Sequence, residues 1–176
     1  DYQVIQASEQ KWKSPVIGYF GSITDSNDWD MIEHAALERP EWQFVFIGKK
    51  LINLPALEVL PNVHFLGFTP YEDLPGIAVN FDVGIMFWKM TDWIKACSPL
   101  KFKEYLAMGL PVVSVPIDEV VNKYSDYAEV ASTGPEFVKA VEKCLTMDVK
   151  VKHREFAKQY SWTEAVREIR SECGLT

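Results

Sequence analysis

The fold is decided by residues 16–48, which read VIGYFGSITDSNDWDMIEHAALERPEWQFVFIG. The stretch opens with the apolar run Val16–Phe20 and closes with a second one, Trp42–Ile47, each followed directly by a glycine. Short apolar runs bounded by glycine are typical of strands buried on both faces of a parallel sheet. Between them, apolar residues recur at helical spacing from about Asp28 onward. The sequence therefore predicts a strand–helix–strand unit.

The same alternation of apolar runs and amphipathic segments continues to the end of the chain. Further strands are predicted at 63–67, 81–87, 111–115 and 128–131, helices at 56–60, 71–78, 99–108, 135–145, 151–160 and 163–172, and a loop at 88–97. Because crossovers between parallel strands are right-handed, this order predicts an α/β fold. Its Rossmann-like, doubly wound parallel sheet carries helices on both faces. Ligands of such sheets bind beyond the carboxyl ends of the strands.

Length and composition predict a single domain. The chain has 176 residues, of which 48% are hydrophobic and 24% charged, the balance of a globular domain with a full core. No repeat or linker divides residues 1–176, and only residues 1–13 are expected to be loosely attached. The chain begins at Asp1 rather than at Met, which raises the expectation that it belongs to a longer protein.

Charge and cysteine content narrow the classes of partner. A net charge of −7 argues against nucleic acid, because a protein that binds the phosphate backbone concentrates basic residues on one face. Three widely spaced cysteines without a C-x-x-C motif suggest neither a disulfide framework nor a zinc site, and they favour a reducing, cytoplasmic setting. No apolar run reaches the roughly 20 residues that cross a bilayer.

The most informative segment is 98–113, SPLKFKEYLAMGLPVV. Ser98 suits the N-cap of a helix and Pro99 its first position, so the free N–H groups of Leu100 and Lys101 should point out of the sheet's carboxyl edge. Such a helix start is a ready anion site. Lys101 lies in the first turn, where it opposes the helix dipole unless a bound anion compensates it.

Glu104 follows Lys101 at i+3, so both project from one side of the predicted helix. A carboxylate there could accept two ribose hydroxyls. Alternatively, the two residues form an exposed ion pair worth less than about 1 kcal/mol. Spacing alone favours the ion pair.

Segment 98–113 resembles the nucleotide-sugar-binding signature of the group 1 glycosyltransferases. These enzymes have the GT-B architecture of two Rossmann-like domains and retain the anomeric configuration. The signature reads Pro-x-Lys-x-x-Glu-Tyr-Leu-Ala-x-Gly-x-Pro-Val-Val, and the resemblance continues through 18–23, 42–48, 62–67 and 71–75. It covers about residues 15–172. It implies that this chain is the C-terminal, nucleotide-sugar-binding half of a GT-B fold, and that the N-terminal acceptor domain is absent.

The resemblance also implies a set of binding residues. Those expected at the donor diphosphate are Gly21, Ser22, Ser98, Leu100 and Lys101; Glu104 is expected on the ribose, and Gly67, Phe68 and Thr69 at the base. No catalytic acid or base is assigned, because relatives assemble the reacting centre between two domains. The isolated domain is therefore expected to bind donor but hardly to turn it over. No cofactor is expected.

Two positions depart from the family pattern. Many relatives carry a second carboxylate eight residues before the one at Glu104, and Ala96 stands there in this chain. Relatives often place Arg directly after the first-strand glycine and Lys soon afterwards, whereas this chain has Ser22 and no basic residue in 24–27. Lys101 is therefore expected to face the diphosphate as the only cation.

The function implied is that of a hexosyltransferase in cell-surface polysaccharide synthesis. It would move a sugar from a nucleoside diphosphate sugar to a glycan or lipid-linked acceptor. The expected location is cytoplasmic, and peripheral association of the full-length protein with the inner face of the membrane stays open. Two alternatives are the half of a sugar-nucleotide epimerase, which needs clustered carboxylates and histidine, and a non-catalytic flavodoxin-like interaction module, which needs an acidic pocket.

Three further features of the sequence bear on function. Asp28-Trp29-Asp30 spells a D-x-D motif, but two carboxylates at a helix start favour the dipole without an ion, so no metal is predicted. The aromatic segment 87–95 is interpreted either as closing over sugar or acceptor, or as packing against the partner domain. Tyr160-Ser161-Trp162 resembles the family's closing helix pair, with ordinary core packing as the alternative.

Overall fold

In this computed structural model the described residues are Trp12, 15–160, Arg167, Arg170 and Ser171. The predictions for an attached segment at 1–13 and for a helix at 163–172 lie largely outside these residues. The same holds for Ser161 and Trp162.

The described residues form one six-stranded sheet in which every pairing between strands is parallel. The strands are β1 (Val16–Phe20), β2 (Gln43–Ile47), β3 (Val63–Gly67), β4 (Val83–Met86), β5 (Val112–Ser114) and β6 (Glu129–Val130). Their order is β3-β2-β1-β4-β5-β6. The strand order reverses between β1 and β4, and such a switch point opens a crevice at the carboxyl edge of the sheet. The predicted doubly wound sheet is confirmed.

Helices connect and cover the strands. They are α1 (Trp29–Glu38), α2 (Pro55–Glu58), α3 (Leu74–Ala78), α4 (Asp92–Lys95), α5 (Leu100–Met108), α6 (Asp118–Lys123), α7 (Gly134–Leu145) and α8 (Lys150–Lys158). α1 packs against α7, and α5 packs against α8. Because right-handed crossovers that run in opposite directions place their helices on opposite faces, the two pairs cover the two sides of the sheet.

The core follows from the strand composition. All five residues of β1 are buried, as are the last four of β2 and all of β4. On the helices the buried side is the one that the spacing predicts: Met31, Ile32, Ala35 and Ala36 on α1, and Phe102, Tyr105 and Leu106 on α5. Burial of the Phe102, Tyr105 and Leu106 side of α5 holds this helix against the sheet, and it thereby fixes the position of the start of the helix.

Three local predictions were incomplete. The helix expected at 71–78 is a 3-10 turn, Tyr71–Asp73, followed by α3, because Pro75 has no N–H to donate to the Tyr71 carbonyl. The loop expected at 88–97 contains α4, whose N-cap Thr91 accepts a hydrogen bond from the Ile94 N–H at 3.2 Å. α6 was not predicted, although it has acidic residues in its first turn and Lys123 in its last.

Candidate functional site

Two cavities lie side by side at the carboxyl edge, where β1 and β4 end and α5 begins. The first, which we call the glycine-backed cavity, has a volume of about 620 Å³. Its lining includes Phe20, Gly21, Gly48, Lys49, Phe68, Thr69, Tyr71 and Glu104. The second, the tryptophan-lined cavity, has a volume of about 650 Å³. Its lining includes Tyr19, Asp25, Trp88, Lys89, Trp93, Cys97, Ser98 and Leu100. Ser22 and Lys101 line both cavities and separate them.

Two glycines form the back of the first cavity. Gly21 has φ +143° and Gly48 φ +149°, backbone angles that side chains with a Cβ rarely adopt. A Cβ on Gly48 would stand 2.0 Å from the Gly21 carbonyl oxygen. The Gly21 N–H donates to Ile47 O at 2.8 Å, and the Gly48 N–H donates to Gly67 O at 2.7 Å. These bonds hold the ends of the first three strands together and leave bare backbone facing the cavity.

The start of α5 differs by one residue from the prediction. Pro99 has extended backbone angles (φ −77°, ψ 112°) and is the cap residue, so the assignment of Ser98 as N-cap is wrong. The reason is that proline fixes φ but leaves ψ free, so Pro99 can lie outside the helix. No side chain caps the helix. The first bond back to the cap runs from the Phe102 N–H to Pro99 O at 3.1 Å, so the amides of Leu100 and Lys101 have no acceptor within the helix.

Lys101 lies between aromatic rings at the boundary of the two cavities. Its Nζ is 3.9 Å from the ring centroid of Tyr19 and 4.9 Å from that of Trp88. A Cβ on Gly21 would stand 2.5 Å from this Nζ, so a side chain at this position would require the ammonium to shift. Burial lowers the pKa of Lys101 from 10.5 to about 7, and the nearby Glu104 carboxylate opposes that shift. An anion bound beside Nζ would raise the pKa again.

Glu104 faces the glycine-backed cavity from the second turn of α5. The Tyr71 hydroxyl donates a hydrogen bond to Glu104 Oε1 at 2.7 Å. This bond and the charge of the carboxylate raise the pKa of Tyr71. Among the described residues, Lys101 and Glu104 do not come within ion-pair distance of each other, so the ion-pair interpretation is wrong.

The structure brings most of the predicted residues together. Phe68 and Thr69 line the same cavity as Glu104, and the Phe68 side chain is 52% exposed. Gly67 closes β3 at φ +78° and supports Gly48 through its carbonyl rather than facing the cavity. Ser98 lies on the other side, in the tryptophan-lined cavity.

The tryptophan-lined cavity is built by the connection between β4 and α5. Trp93 is 77% exposed, whereas Ile94, next to it on α4, is buried. The Lys89 N–H donates to Ser26 O at 2.8 Å, which ties this connection to the loop that follows β1. Within that loop the buried Asn27 accepts a hydrogen bond from the Thr24 N–H at 3.0 Å. Most of the cavity wall therefore consists of side chains on two hydrogen-bonded connections, and Tyr19 of β1 and the start of α5 complete it.

Lining residues that the sequence prediction did not single out include Tyr19, Gly48, Lys49 and Tyr71. Tyr71 entered only as part of the resemblance, and Tyr19 only as a strand residue. Their place in the sequence could have identified them, because each lies near the carboxyl end of a predicted strand and those ends meet at one edge of the sheet.

The carboxylates of the D-x-D sequence, Asp28 and Asp30, lie at the start of α1. Asp28 of the D-x-D sequence caps α1, accepting a hydrogen bond from the Met31 N–H at 3.2 Å. Within the described residues, no group of three or more His, Cys, Asp or Glu side chains is arranged to hold a metal ion. No helix in this part of the chain has the length and apolar character needed to cross a membrane.

A parallel sheet of this order, with helices on both faces, defines a Rossmann-like domain. The chain belongs to the group 1 glycosyl transferases, whose family model matches residues 14–147. It is 32% identical over 171 residues to the putative teichuronic acid biosynthesis glycosyltransferase TuaH of Bacillus subtilis. That match covers 91% of this chain and 43% of TuaH, so the chain spans less than half of this relative.

Two solved structures share the fold. The first is Anabaena Alr3699/HepE in complex with UDP and glucose, with a TM-score of 0.67 and 16% identity over 92% of this chain and 48% of HepE. The second is AviGT4, involved in avilamycin A biosynthesis, with a TM-score of 0.66 and 14% identity over 97% of this chain and 53% of AviGT4. At these identities the likeness is one of fold.

Proposed function

We propose that this chain is the donor-binding domain of a glycosyltransferase that takes its sugar from a nucleoside diphosphate sugar. One observation carries the proposal: the ammonium of Lys101 and the uncapped start of α5 meet at the boundary of two adjacent cavities. A helix start with unbonded amides and a lysine is suited to a diphosphate. The cavities on either side leave room for the two groups that a diphosphate joins.

The nucleoside belongs in the glycine-backed cavity. Glu104 offers a carboxylate for the ribose hydroxyls, and Phe68 and Thr69 lie where a base would follow. Gly21 and Gly48 allow the backbone to approach the ligand closely, as phosphate-binding turns require. Ser22 and Lys101 then contact the diphosphate, with the amides of Leu100 and Lys101 beside them.

The sugar belongs in the tryptophan-lined cavity, against Trp88, Trp93 and Ser98. Ala96 supplies no carboxylate to it. The aromatic segment then closes over the donor sugar or receives the acceptor. In a longer parent chain, its exposed Trp93 would also meet the N-terminal acceptor domain.

The chemical contribution of this domain is electrostatic. When the glycosidic bond to the sugar breaks, negative charge builds up on the leaving diphosphate. Donors placed in advance around that group lower the barrier, and they are most effective where water is excluded. Lys101 and the two amides are such donors. The acid–base groups and the acceptor would come from the second domain, so the chain alone binds donor without efficient transfer.

The relatives support a role in cell-surface polysaccharide synthesis. TuaH is described as a glycosyltransferase of teichuronic acid biosynthesis, and HepE was solved with UDP and glucose. A uridine diphosphate hexose is therefore the first donor to test. A glycan or lipid-linked acceptor, retention of configuration, and a cytoplasmic location at the inner face of the membrane complete the proposal.

Titration of UDP-glucose and GDP-mannose against the chain tests the proposal by calorimetry. We expect selective binding of one nucleotide class, weakened about 10- to 100-fold by Lys101→Ala and by Glu104→Ala, the range for charged hydrogen bonds. Lys103→Ala is the matched control. Lys103 is a lysine on the same helix, but its Nζ lies 3.9 Å from Glu119 Oε1, so its charge is directed to another partner. Unchanged affinity in both test variants would overturn the site assignment.

A further inference from the structure

We infer that Tyr71 is a positioning residue for Glu104, and that it fixes the carboxylate in the orientation that accepts the ribose hydroxyls. This inference rests on the proposed function, because it presupposes a ribose in the glycine-backed cavity. Tyr71 was not among the predicted site residues. Its role follows from the bond it makes and from how little else its side chain contributes to the fold.

The Tyr71–Glu104 bond joins two walls of the cavity. Tyr71 lies in the 3-10 turn after β3, and Glu104 lies 33 residues later on α5. The phenol oxygen is 2.7 Å from Glu104 Oε1, a short distance typical of a hydrogen bond to a charged acceptor. Both residues line the same cavity as Phe68 and Thr69. The bond therefore crosses from the proposed base region to the ribose carboxylate.

The phenol is not needed to anchor its own turn. The Tyr71 side chain is 70% exposed, whereas Ile77 and Ala78 of the following helix are buried in the core. The turn is also closed by the Asp73 N–H, which donates to Pro70 O at 3.1 Å. Loss of the hydroxyl would leave these anchors in place. What the hydroxyl does contact is the carboxylate.

A glutamate on a helix surface samples several rotamers, and only some direct both oxygens into a cavity. The Tyr71 donor occupies one lone pair of Oε1 and restricts that rotation. A carboxylate has about four acceptor positions, so three remain for ligand hydroxyls. The bond to Glu104 also raises the pKa of Tyr71 above its ordinary value, because the bond and the carboxylate charge both favour the protonated phenol.

A double-mutant cycle with UDP as the probe, and GDP in parallel, tests the inference on the whole chain. We expect Tyr71→Phe to weaken binding of the accepted nucleotide about three- to tenfold when Glu104 is present. In the Glu104→Ala background the same change should cost less than about twofold, because the group that Tyr71 positions is gone. Tyr160→Phe, at an exposed tyrosine outside the cavity lining, is the matched control.

A ribose readout separates positioning from a general effect on the loop. The preference of the wild-type chain for UDP over 2′-deoxy-UDP should shrink in Tyr71→Phe, because a less ordered carboxylate discriminates less between the two sugars. GDP and 2′-deoxy-GDP serve in the same way if guanine is the accepted base.

Each other outcome has a definite meaning. Equal losses in both backgrounds, or no loss from Tyr71→Phe alone, would overturn the positioning role while leaving the donor site intact. If the wild-type chain binds neither UDP nor GDP, the proposed function fails and the role of Tyr71 fails with it.

Discussion

The two cavities at the carboxyl edge have similar volumes, about 620 and 650 Å³, and share Lys101, yet they are built differently. The glycine-backed cavity is formed by strand ends, two glycine turns, the segment after β3 that carries Phe68 and Tyr71, and one side of α5. The tryptophan-lined cavity takes most of its walls from the connections after β1 and β4, and Tyr19 of β1 and the start of α5 complete it. Loop side chains therefore contribute a larger share of the second cavity than of the first. In our proposal the first binds the nucleoside, the second binds the sugar, and the diphosphate lies at their boundary.

The largest effect is expected where the glycine-backed cavity depends on bare backbone. A Cβ at Gly48 would stand 2.0 Å from the Gly21 carbonyl oxygen, and Gly48 has φ +149°. We expect Gly48→Ala to lower the free energy of unfolding by about 3 kcal/mol or more, measured by urea denaturation. Nucleotide binding should be lost with it.

Gly76→Ala is the control for that change. Gly76 lies within α3, and a Cβ there meets nothing within 4 Å. Alanine is the better helix former by about 1 kcal/mol, so this variant should be as stable as the wild type or slightly more so. Equal loss of stability in both variants would show that the contact between the two glycine turns is not what matters.

The second largest effect concerns the residue that the two cavities share. Lys101→Met keeps the apolar stem but removes the charge, and it should weaken binding of UDP-glucose about 10- to 100-fold. Lys89→Met removes a charge from the tryptophan-lined cavity alone, where Lys89 is exposed, and should weaken binding less. Calorimetric titration of both variants measures the difference. A larger loss at Lys89 would place the diphosphate in the second cavity.

The third effect is a pH dependence of donor binding. In the free chain the pKa of Lys101 is about 7, so much of the side chain is neutral at pH 8. A bound diphosphate favours the ammonium, so binding above pH 7 takes up a proton. Affinity for UDP-glucose should therefore fall between pH 7 and 9, by at most about tenfold per unit.

UDP-glucose is the appropriate probe for this titration. The terminal phosphate of free UDP has a pKa of about 6, as phosphate monoesters do, and its titration would add to that of Lys101. Lys101→Met should bind weakly and show a flat profile over the same range. Calorimetry in buffers of different ionisation enthalpy counts the protons taken up. A pH-independent affinity in the wild-type chain would contradict a diphosphate beside this amine.

The smallest effect is expected in the tryptophan-lined cavity. Trp93 is 77% exposed, so Trp93→Ala should leave the midpoint of urea unfolding unchanged. Affinity for UDP should also be unchanged, while affinity for UDP-glucose should fall about two- to fivefold, because an aromatic contact on a solvated surface is worth little. Equal losses for the two ligands would place Trp93 at the nucleoside instead.

The sequence predicted the glycine-backed side better than the other side. Strand β3, which ends beside this cavity, was located correctly, because a short apolar run closed by glycine is a local signal. The bond between Tyr71 and Glu104 was not predictable, because it joins residues 33 positions apart through the tertiary fold. The placement of the Tyr19 and Trp88 rings around Lys101 was not predictable for the same reason, because it depends on where β1 and β4 end in the folded sheet.

On the other side, the sequence predicts a loop at 88–97, where the structure has α4. Four residues are too few for an amphipathic pattern, and its cap Thr91 stands among aromatic residues. The start of α5 was misplaced by one residue, because a Ser-Pro pair permits either Ser98 or Pro99 to precede the helix. That difference matters chemically, since a cap without a side-chain acceptor leaves the first amides for a ligand.

The most direct test follows backbone amide signals by NMR while UDP-glucose is titrated into the ¹⁵N-labelled chain. We predict saturable shifts at Leu100, Lys101 and Gly21, together with Phe68 and Thr69. Saturation of binding with the Leu100 and Lys101 amides unmoved would contradict a diphosphate at the start of α5.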